Sequence, residues 1–207
     1  MEILEKILST SAELFAQYGF KTITMDDISR RAGISKKTLY QHYSNKEEVV
    51  NESIAWYKNQ MTAQCHGILG GAANAVEAMV KIIAFFDANH RNINPTAMIE
   101  LNKFYPDAFR TFRKLIEEDV EMMKANIEQG IQEGYYRPEL DADLMARYRM
   151  ETSLLVFQPN LMVNDRAKFI QVLMDVNEHF MYGLMTVRGI ELYKEYKTKY
   201  INTKIAI

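Results

Sequence analysis

The sequence predicts an all-α fold, with a short N-terminal helical unit followed by a larger C-terminal helical bundle. Three observations lead there. Only nine Gly and four Pro punctuate the 207 residues, and strong helix formers such as Ala, Glu, Lys, Leu and Met are abundant. No two runs of alternating apolar and polar residues are joined by a tight turn, so strands have no candidate. Helix-start and helix-stop signatures recur along the whole chain.

The first helix is predicted over 2–18. Leu4, Ile7, Leu8, Leu14, Phe15 and Tyr18 share one face at a period near 3.6, and Gly19 follows as a stop. Thr24-Met-Asp-Asp27 reads as a capping box opening a second helix with Ile28 and Ala32 inward. Gly33 can take the positive φ of a sharp turn. Ser35 is an N-cap for a third, very short helix to about Tyr43. Ser44-Asn-Lys-Glu47 reads as another capping box, starting a long fourth helix to about Ala63. The stretch HGILGGAAN after Cys65 holds three glycines and reads as a joint.

Further helices are predicted at about 72–89, 96–104, 107–133, 142–157 and 166–188, with a last piece after Gly189. Asn94-Pro95, Pro106, Gly134 with Pro138, and Pro159 supply the breaks. No internal repeat or low-complexity segment is present.

Composition bounds the function. Hydrophobic residues are 48% and charged residues 25%, typical of a soluble globular chain. No apolar run approaches the roughly 18 residues that span a bilayer, so no membrane partner is expected. The acidic MEILEKIL start lacks the pattern of a secretory signal. One cysteine, Cys65, cannot form an intrachain disulfide, which fits a reducing cytoplasm.

Charge is unevenly spread. The net formal charge is −2, yet residues 28–46, ISRRAGISKKTLYQHYSNK, hold five Lys or Arg, two Tyr, one His and no carboxylate. A helix, a turn at Gly33 and a second helix anchored by Ile34 and Leu39 form a helix-turn-helix pattern. With Leu39 and Tyr43 inward, Lys37 and Gln41 point almost directly away at about 100° per residue, with Thr38 and Tyr40 on the flanks. Lys can donate to guanine and Gln can pair with adenine in a major groove. Lys36 lies in the first turn, where such a helix enters the groove. Lys46 can join the free N–H groups of the next helix on a phosphate. For His42 two readings stand, surface residue or phosphate contact. Tyr43 reads as core, and Arg30 and Arg31 as borders of the DNA or partners of Asp26, Asp27 or Glu47.

These residues also resemble a known family. AELFAQYGFKTITMDDISRRAGISKKTLYQHYSNKEEV resembles the DNA-binding domain of the TetR family of transcriptional regulators, through Tyr18-Gly19, Thr22, Thr24, Ala32-Gly33-Ile34-Ser35, Thr38-Leu39-Tyr40 and Lys46-Glu47. EQGIQEGYYRPELDADLMA at 128–146 resembles the segment before that family's dimer-forming helices. The resemblance implies base-edge contacts from Lys36, Lys37 and Gln41. It implies backbone contacts from Thr24, Thr38, Tyr40, His42 and Lys46, and Ser35 completes the candidate DNA-binding set. Lys37 stands where relatives often carry a small residue. The resemblance further implies a homodimer on a roughly palindromic operator and a small-molecule pocket in the C-terminal part.

The expected division is a DNA-binding domain at 1–46 and an effector-binding and dimerisation domain at 47–207. Wide apolar faces over 142–157 and 166–188 are the expected dimer surface, a four-helix arrangement in the pair. Phe85, Phe86, Met98, Phe104, Tyr105, Phe109, Phe112, Met122, Met123, Tyr148 and Phe157 read as core for the most part. Met and aromatic walls also suit an apolar effector, with Asn102, Arg147 and Arg149 among possible polar contacts. His66, His90 and His179 lack the companions of a zinc site. With no phosphate loop or nucleophile elbow, no cofactor, metal or enzymatic activity is expected. The expectation is a cytoplasmic repressor released by a small molecule. The alternative is a ligand-independent DNA-binding protein that recruits a protein partner.

Overall fold

Thr24 opens the second helix by a reciprocal exchange. Its hydroxyl accepts the Asp27 N–H at 3.2 Å, and its own N–H donates to Asp27 Oδ2 at 3.0 Å. The computed structural model in which this is seen describes residues 2–155, Phe157 and 166–201. Its helices are α1 (Ile3–Tyr18), α2 (Met25–Ala32), α3 (Lys36–His42), α4 (Lys46–Gly70) and α5 (Ala75–His90), then α6 (Ala97–Phe104), α7 (Pro106–Gln132), α8 (Ala142–Leu155), α9 (Arg166–Leu184) and α10 (Val187–Tyr200). Among the described residues the non-helical pairing is an isolated antiparallel bridge between Tyr136 and Met185. The predicted all-α class holds.

The chain divides into two compact units. The first comprises Met1–Met61, Asn92–Ile116 and Phe157–Arg166, and the second Thr62–Arg91, Glu117–Val156 and Ala167–Ile207, as far as these are described. Each has its own core. In the first, Ile7, Phe15, Phe20, Ile28, Leu39, Val49 and Leu101 are buried together. In the second, Val76, Met79, Ile127, Tyr136, Phe180, Met181 and Tyr193 are. Apolar burial of this kind is the main term favouring each unit. Met98, Tyr105, Phe109 and Phe112 pack on the first core, so these members of the Met and aromatic set belong to unit one.

Boundaries depart from the sequence reading in three places. The cap of α4 is Asn45, not Ser44: Asn45 Oδ1 accepts the Glu48 N–H at 3.0 Å while Glu48 takes the Ser44 N–H at 2.7 Å. The expected capping register is thus shifted by one residue. Helix α4 then continues past Ala63 to Gly70, because Cys65 is buried and helical glycine costs only about 1 kcal/mol. Finally, α9 stops at Leu184, and α10 begins at Val187 behind the cap of Thr186 on the Gly189 N–H. Gly189 does not break a helix; it lies buried inside one.

The inward stripe expected on α1 is real in its middle, where Ile7, Leu14 and Phe15 are buried. Its two ends, Leu4 and Tyr18, are 43% and 49% exposed. Residues 158–165, with the break expected at Pro159, lie outside the described residues.

Candidate nucleic-acid interface

The site is built by the turn between α2 and α3. Gly33 adopts φ +63°, ψ 36°, the left-handed conformation that lets the chain reverse with little penalty. Its N–H bonds the Arg30 carbonyl at 3.2 Å, and the Ile34 N–H bonds the Ser29 carbonyl at 3.0 Å. Ser35 then caps α3 by accepting the Thr38 N–H at 3.0 Å, and the two hydroxyls lie 2.8 Å apart.

Leu39 holds α3 from behind and is fully buried; Tyr43 is buried just after the helix. The Tyr43 hydroxyl donates to Glu52 at 2.7 Å. Its pKa is raised by burial first and by that carboxylate second, so it is a fixed neutral anchor. Of the five inner-face residues of this reading, Ile28, Ala32, Leu39 and Tyr43 are buried, and Ile34 packs half-buried on the same core.

Outward from that anchor, Lys37, Tyr40, Gln41 and His42 are exposed. None of the four side chains makes a hydrogen bond or ion pair with a described residue. Their spacing places them on the solvent side of α3. They offer an ammonium, a phenol, an amide and an imidazole, groups that can bond phosphates or base edges.

The other candidates are already engaged. The Thr24 hydroxyl is committed to Asp27 at 2.5 Å. Ser35 and Thr38 are committed to each other. The Lys36 ammonium is 2.5 Å from Asp26 Oδ2. Arg30 approaches Asp27 at 3.5 Å, one of the pairings open to it in the sequence, whereas Arg31 is exposed. The Thr24 hydroxyl and N–H hold the Asp27 carboxyl below the usual carboxylate range, with Arg30 and Lys46 adding to this.

Lys46 departs furthest from the geometry expected of it. Its ammonium turns inward and donates to the Phe20 carbonyl, 5.9 Å over the Phe15 ring and 5.8 Å over the Tyr105 ring. Desolvation lowers its pKa, opposed by Glu100 and Asp27. Glu100 of α6 takes the Lys21 N–H at 2.9 Å, so the turn before α2 is gripped by a cation on one side and a carboxylate on the other. Sequence reasoning missed Glu100; a pairing 79 residues distant leaves no local signal.

The second unit carries a recess of about 450 Å³ lined by Ala63, Gln64, Gly67, Ile68, Gly71 and Lys81. Among the described residues no group of three or more His, Cys, Asp or Glu could hold a metal ion. Among them, too, no helix is long and apolar enough to cross a membrane.

Residues 7–52 match the model of the tetR family of bacterial regulatory proteins. Over 152 residues the chain is 28% identical to the HTH-type transcriptional repressor KstR2 of Mycobacterium tuberculosis, covering 72% of this chain and 76% of that one. In fold it is similar to a transcriptional regulator from Cytophaga hutchinsonii, with a TM-score of 0.70 at 20% identity over 88% of this chain and 98% of that one. It is similar also to the regulator FadR of Bacillus subtilis in complex with stearoyl-CoA, with a TM-score of 0.65 at 17% identity over 85% and 96% of the two chains. The matched segment ends just beyond the start of α4 and contains the whole helix-turn-helix, so residues 7–52 carry the DNA-binding domain of the tetR family of bacterial regulatory proteins.

Proposed function

We propose that this regulator is a homodimeric repressor that holds a palindromic operator through α3 and leaves it when a small molecule binds the second unit. The observation that carries the DNA part is the outward set Lys37, Tyr40, Gln41 and His42, whose side chains have no partner among the described residues, on a helix anchored by buried Leu39. Lys37 and Gln41 read base edges; Tyr40 and His42 hold the backbone, with Thr24, Ser35, Thr38 and Lys36 bordering the contact. The functional division is 1–46 for DNA and 47–207 for effector and partner. Repression is supported by the relative named a transcriptional repressor.

Dimerisation is supported by helix α8, where Leu144, Tyr148 and Leu155 share a face and stay exposed although large and apolar. A second copy of α8 and α9 would cover it in an interface on the order of 2,000 Å² or more. Leu154, Phe169, Phe180 and Leu184, by contrast, are buried within one chain. The recess of the second unit supports the effector, since ligand sites run from about 300 to 1,000 Å³. An effector with a coupling of about 1–3 kcal/mol would weaken DNA binding some 5- to 150-fold.

The test is selection of DNA by the full chain from a random pool, followed by titration over salt. The expected product is an inverted repeat with half-sites about 34–36 Å apart. Affinity should fall steeply between about 50 and 200 mM salt. Selection of no common sequence, with salt-insensitive affinity, would overturn the reading.

A further inference from the structure

We infer that Lys6 of α1 contacts a phosphate of the operator backbone, beside the point where α3 enters the groove. This rests on the DNA reading above and adds a contact from a helix outside the helix-turn-helix itself.

Lys6 is distant from the α2–α3 turn in sequence, yet its ammonium reaches it. A Cβ built on Gly33 would stand 3.8 Å from Lys6 Nζ. The next residue fixes this placement: Ile7 is fully buried in the core that also holds Ile28 and Leu39. Lys6 is thereby carried to the edge of the three-helix unit, and Gly33 has no side chain to fill the place the ammonium takes. Lys36 begins α3 just beyond the turn, and the N-terminal residues of a recognition helix are the ones that reach base edges. The backbones that bound a major groove about 12 Å wide therefore pass close to the turn. An ammonium beside Gly33 faces that row of phosphates.

The carboxylates around Lys6 leave it free for this. Glu2 stands four residues N-terminal to it, the spacing of a favourable helical ion pair. Glu2, however, is the N-cap residue, with φ −64° and ψ 153°, off the helical track, and no ion pair joins the two. Glu5 is adjacent to Lys6 and projects to another side. On α2, Asp26 faces Lys36 at 2.5 Å, and Asp27 is held by Thr24 and Arg30. Lys6 is exposed, and its ammonium has no partner among the described residues. The same is true of the Arg31 guanidinium in the last turn of α2. Cations without counter-charges thus border the turn, while Lys36 is shared with Asp26. Affinity for the DNA backbone draws on such a local excess, through release of condensed counter-ions.

The experiment uses the full chain and its selected operator, titrated by fluorescence anisotropy between about 50 and 200 mM salt. Lys6→Gln removes the charge at little cost in helix propensity, and Lys6→Arg keeps the charge. In Lys6→Gln the slope of log K against log salt should flatten by about 0.9 for each protomer on the DNA. Its loss of affinity should accordingly shrink about 3.5-fold per protomer across that salt range. The loss should be equal on matched and mismatched sites, because a phosphate contact carries no sequence information. Lys6→Arg should keep the wild-type slope. Ethylation interference should show one phosphate per half-site in wild type that is lost in Lys6→Gln.

An unchanged slope in Lys6→Gln overturns the assignment whatever happens to Tm. A lowered Tm in that case would show that the ammonium serves only the C-terminal end of α2, whose dipole favours a cation. Flattening of the slope by Lys6→Arg as well as Lys6→Gln also overturns it, since charge would not be the cause. Wild type that selects no DNA sinks the regulator reading and the contact together. Selection by wild type with an unchanged Lys6→Gln slope removes the contact alone.

Discussion

Lys36 and Asp26, ten residues apart, face each other across the α2–α3 turn with the ammonium 2.5 Å from the carboxylate. The pair is largely exposed, so it stabilises the fold by about 1 kcal/mol at most. Its larger effect is on charge. A cation that the sequence assigns to the groove is partly neutralised by the helix that would cross the DNA backbone. DNA phosphates must compete with Asp26 for Lys36, and the same carboxylate repels them.

Asp26→Asn should therefore tighten DNA binding. Releasing one ammonium is worth about 1 kcal/mol, or about fivefold in affinity, at low salt. The slope of log K against log salt should steepen by about 0.9 if Lys36 gains one phosphate. Fluorescence anisotropy at several salt concentrations measures both. An unchanged slope would show that Lys36 stays out of the contact.

Lys37 and Lys46 should separate cleanly. Lys37→Ala removes an exposed ammonium that has no partner among the described residues, so Tm should hold while discrimination at one base pair falls by about 1–3 kcal/mol. Lys46→Ala instead removes the donor to the Phe20 carbonyl from under two aromatic rings. It should cost about 1–3 kcal/mol of stability and weaken every DNA sequence alike through the turn before α2. Thermal denaturation beside anisotropy on matched and mismatched sites reads the difference. A Lys46→Ala protein with wild-type Tm would mean that its ammonium swings out to a phosphate.

What was legible in the sequence follows from range. The caps at Thr24 and Ser35, the Gly33 turn and the buried Leu39 are signals within a few residues, and each holds in the structure. The outward direction of Lys37 and Gln41 follows from helical geometry once Leu39 is fixed inward. The fates of Lys36 and Lys46 were not legible. Their partners are ten and 26 residues away, and whether a lysine faces solvent or a carbonyl depends on how helices fold back. Glycine was ambiguous for the same reason: Gly67 reads like a joint and is helical, while Gly189 reads like a stop and is buried in a helix.

Acid should loosen the second unit through Glu77. This buried carboxylate of α5 accepts from the Tyr200 hydroxyl of α10 at 2.5 Å and the Ala73 N–H at 2.6 Å, and pairs with Lys81. The Tyr200 bond first, then the Ala73 bond, brings its pKa from the usual 4.5 to about 2. A depressed folded pKa means that the unfolded chain binds the proton more readily. The stabilisation is therefore complete above about pH 4.5 and fades as pH falls toward 2. Urea midpoints at pH 7, 4 and 3 should fall progressively in wild type. Glu77→Gln should start lower at pH 7, by about 1–3 kcal/mol, and vary less with acid. Parallel acid curves for the two proteins would rule out Glu77 as a source of the loss.

Two glycine-to-alanine substitutions should move stability in opposite directions. At Gly67 a methyl group would meet nothing within 4 Å, and alanine is the better helix former by about 0.8–1.0 kcal/mol. Gly67→Ala should therefore raise stability by up to about 1 kcal/mol. At Gly189 the same methyl would stand 2.1 Å from the Tyr135 carbonyl oxygen, a backbone atom held by the Thr186 N–H at 2.9 Å. Neither side can yield without opening the bridge between Tyr136 and Met185. Gly189→Ala should destabilise by about 1–3 kcal/mol as an overpacked site, and this outweighs its gain in helix propensity. Chemical denaturation of both variants reads the signs, and a stabilised Gly189→Ala would show that α10 is free to slide away from the α7–α8 connection.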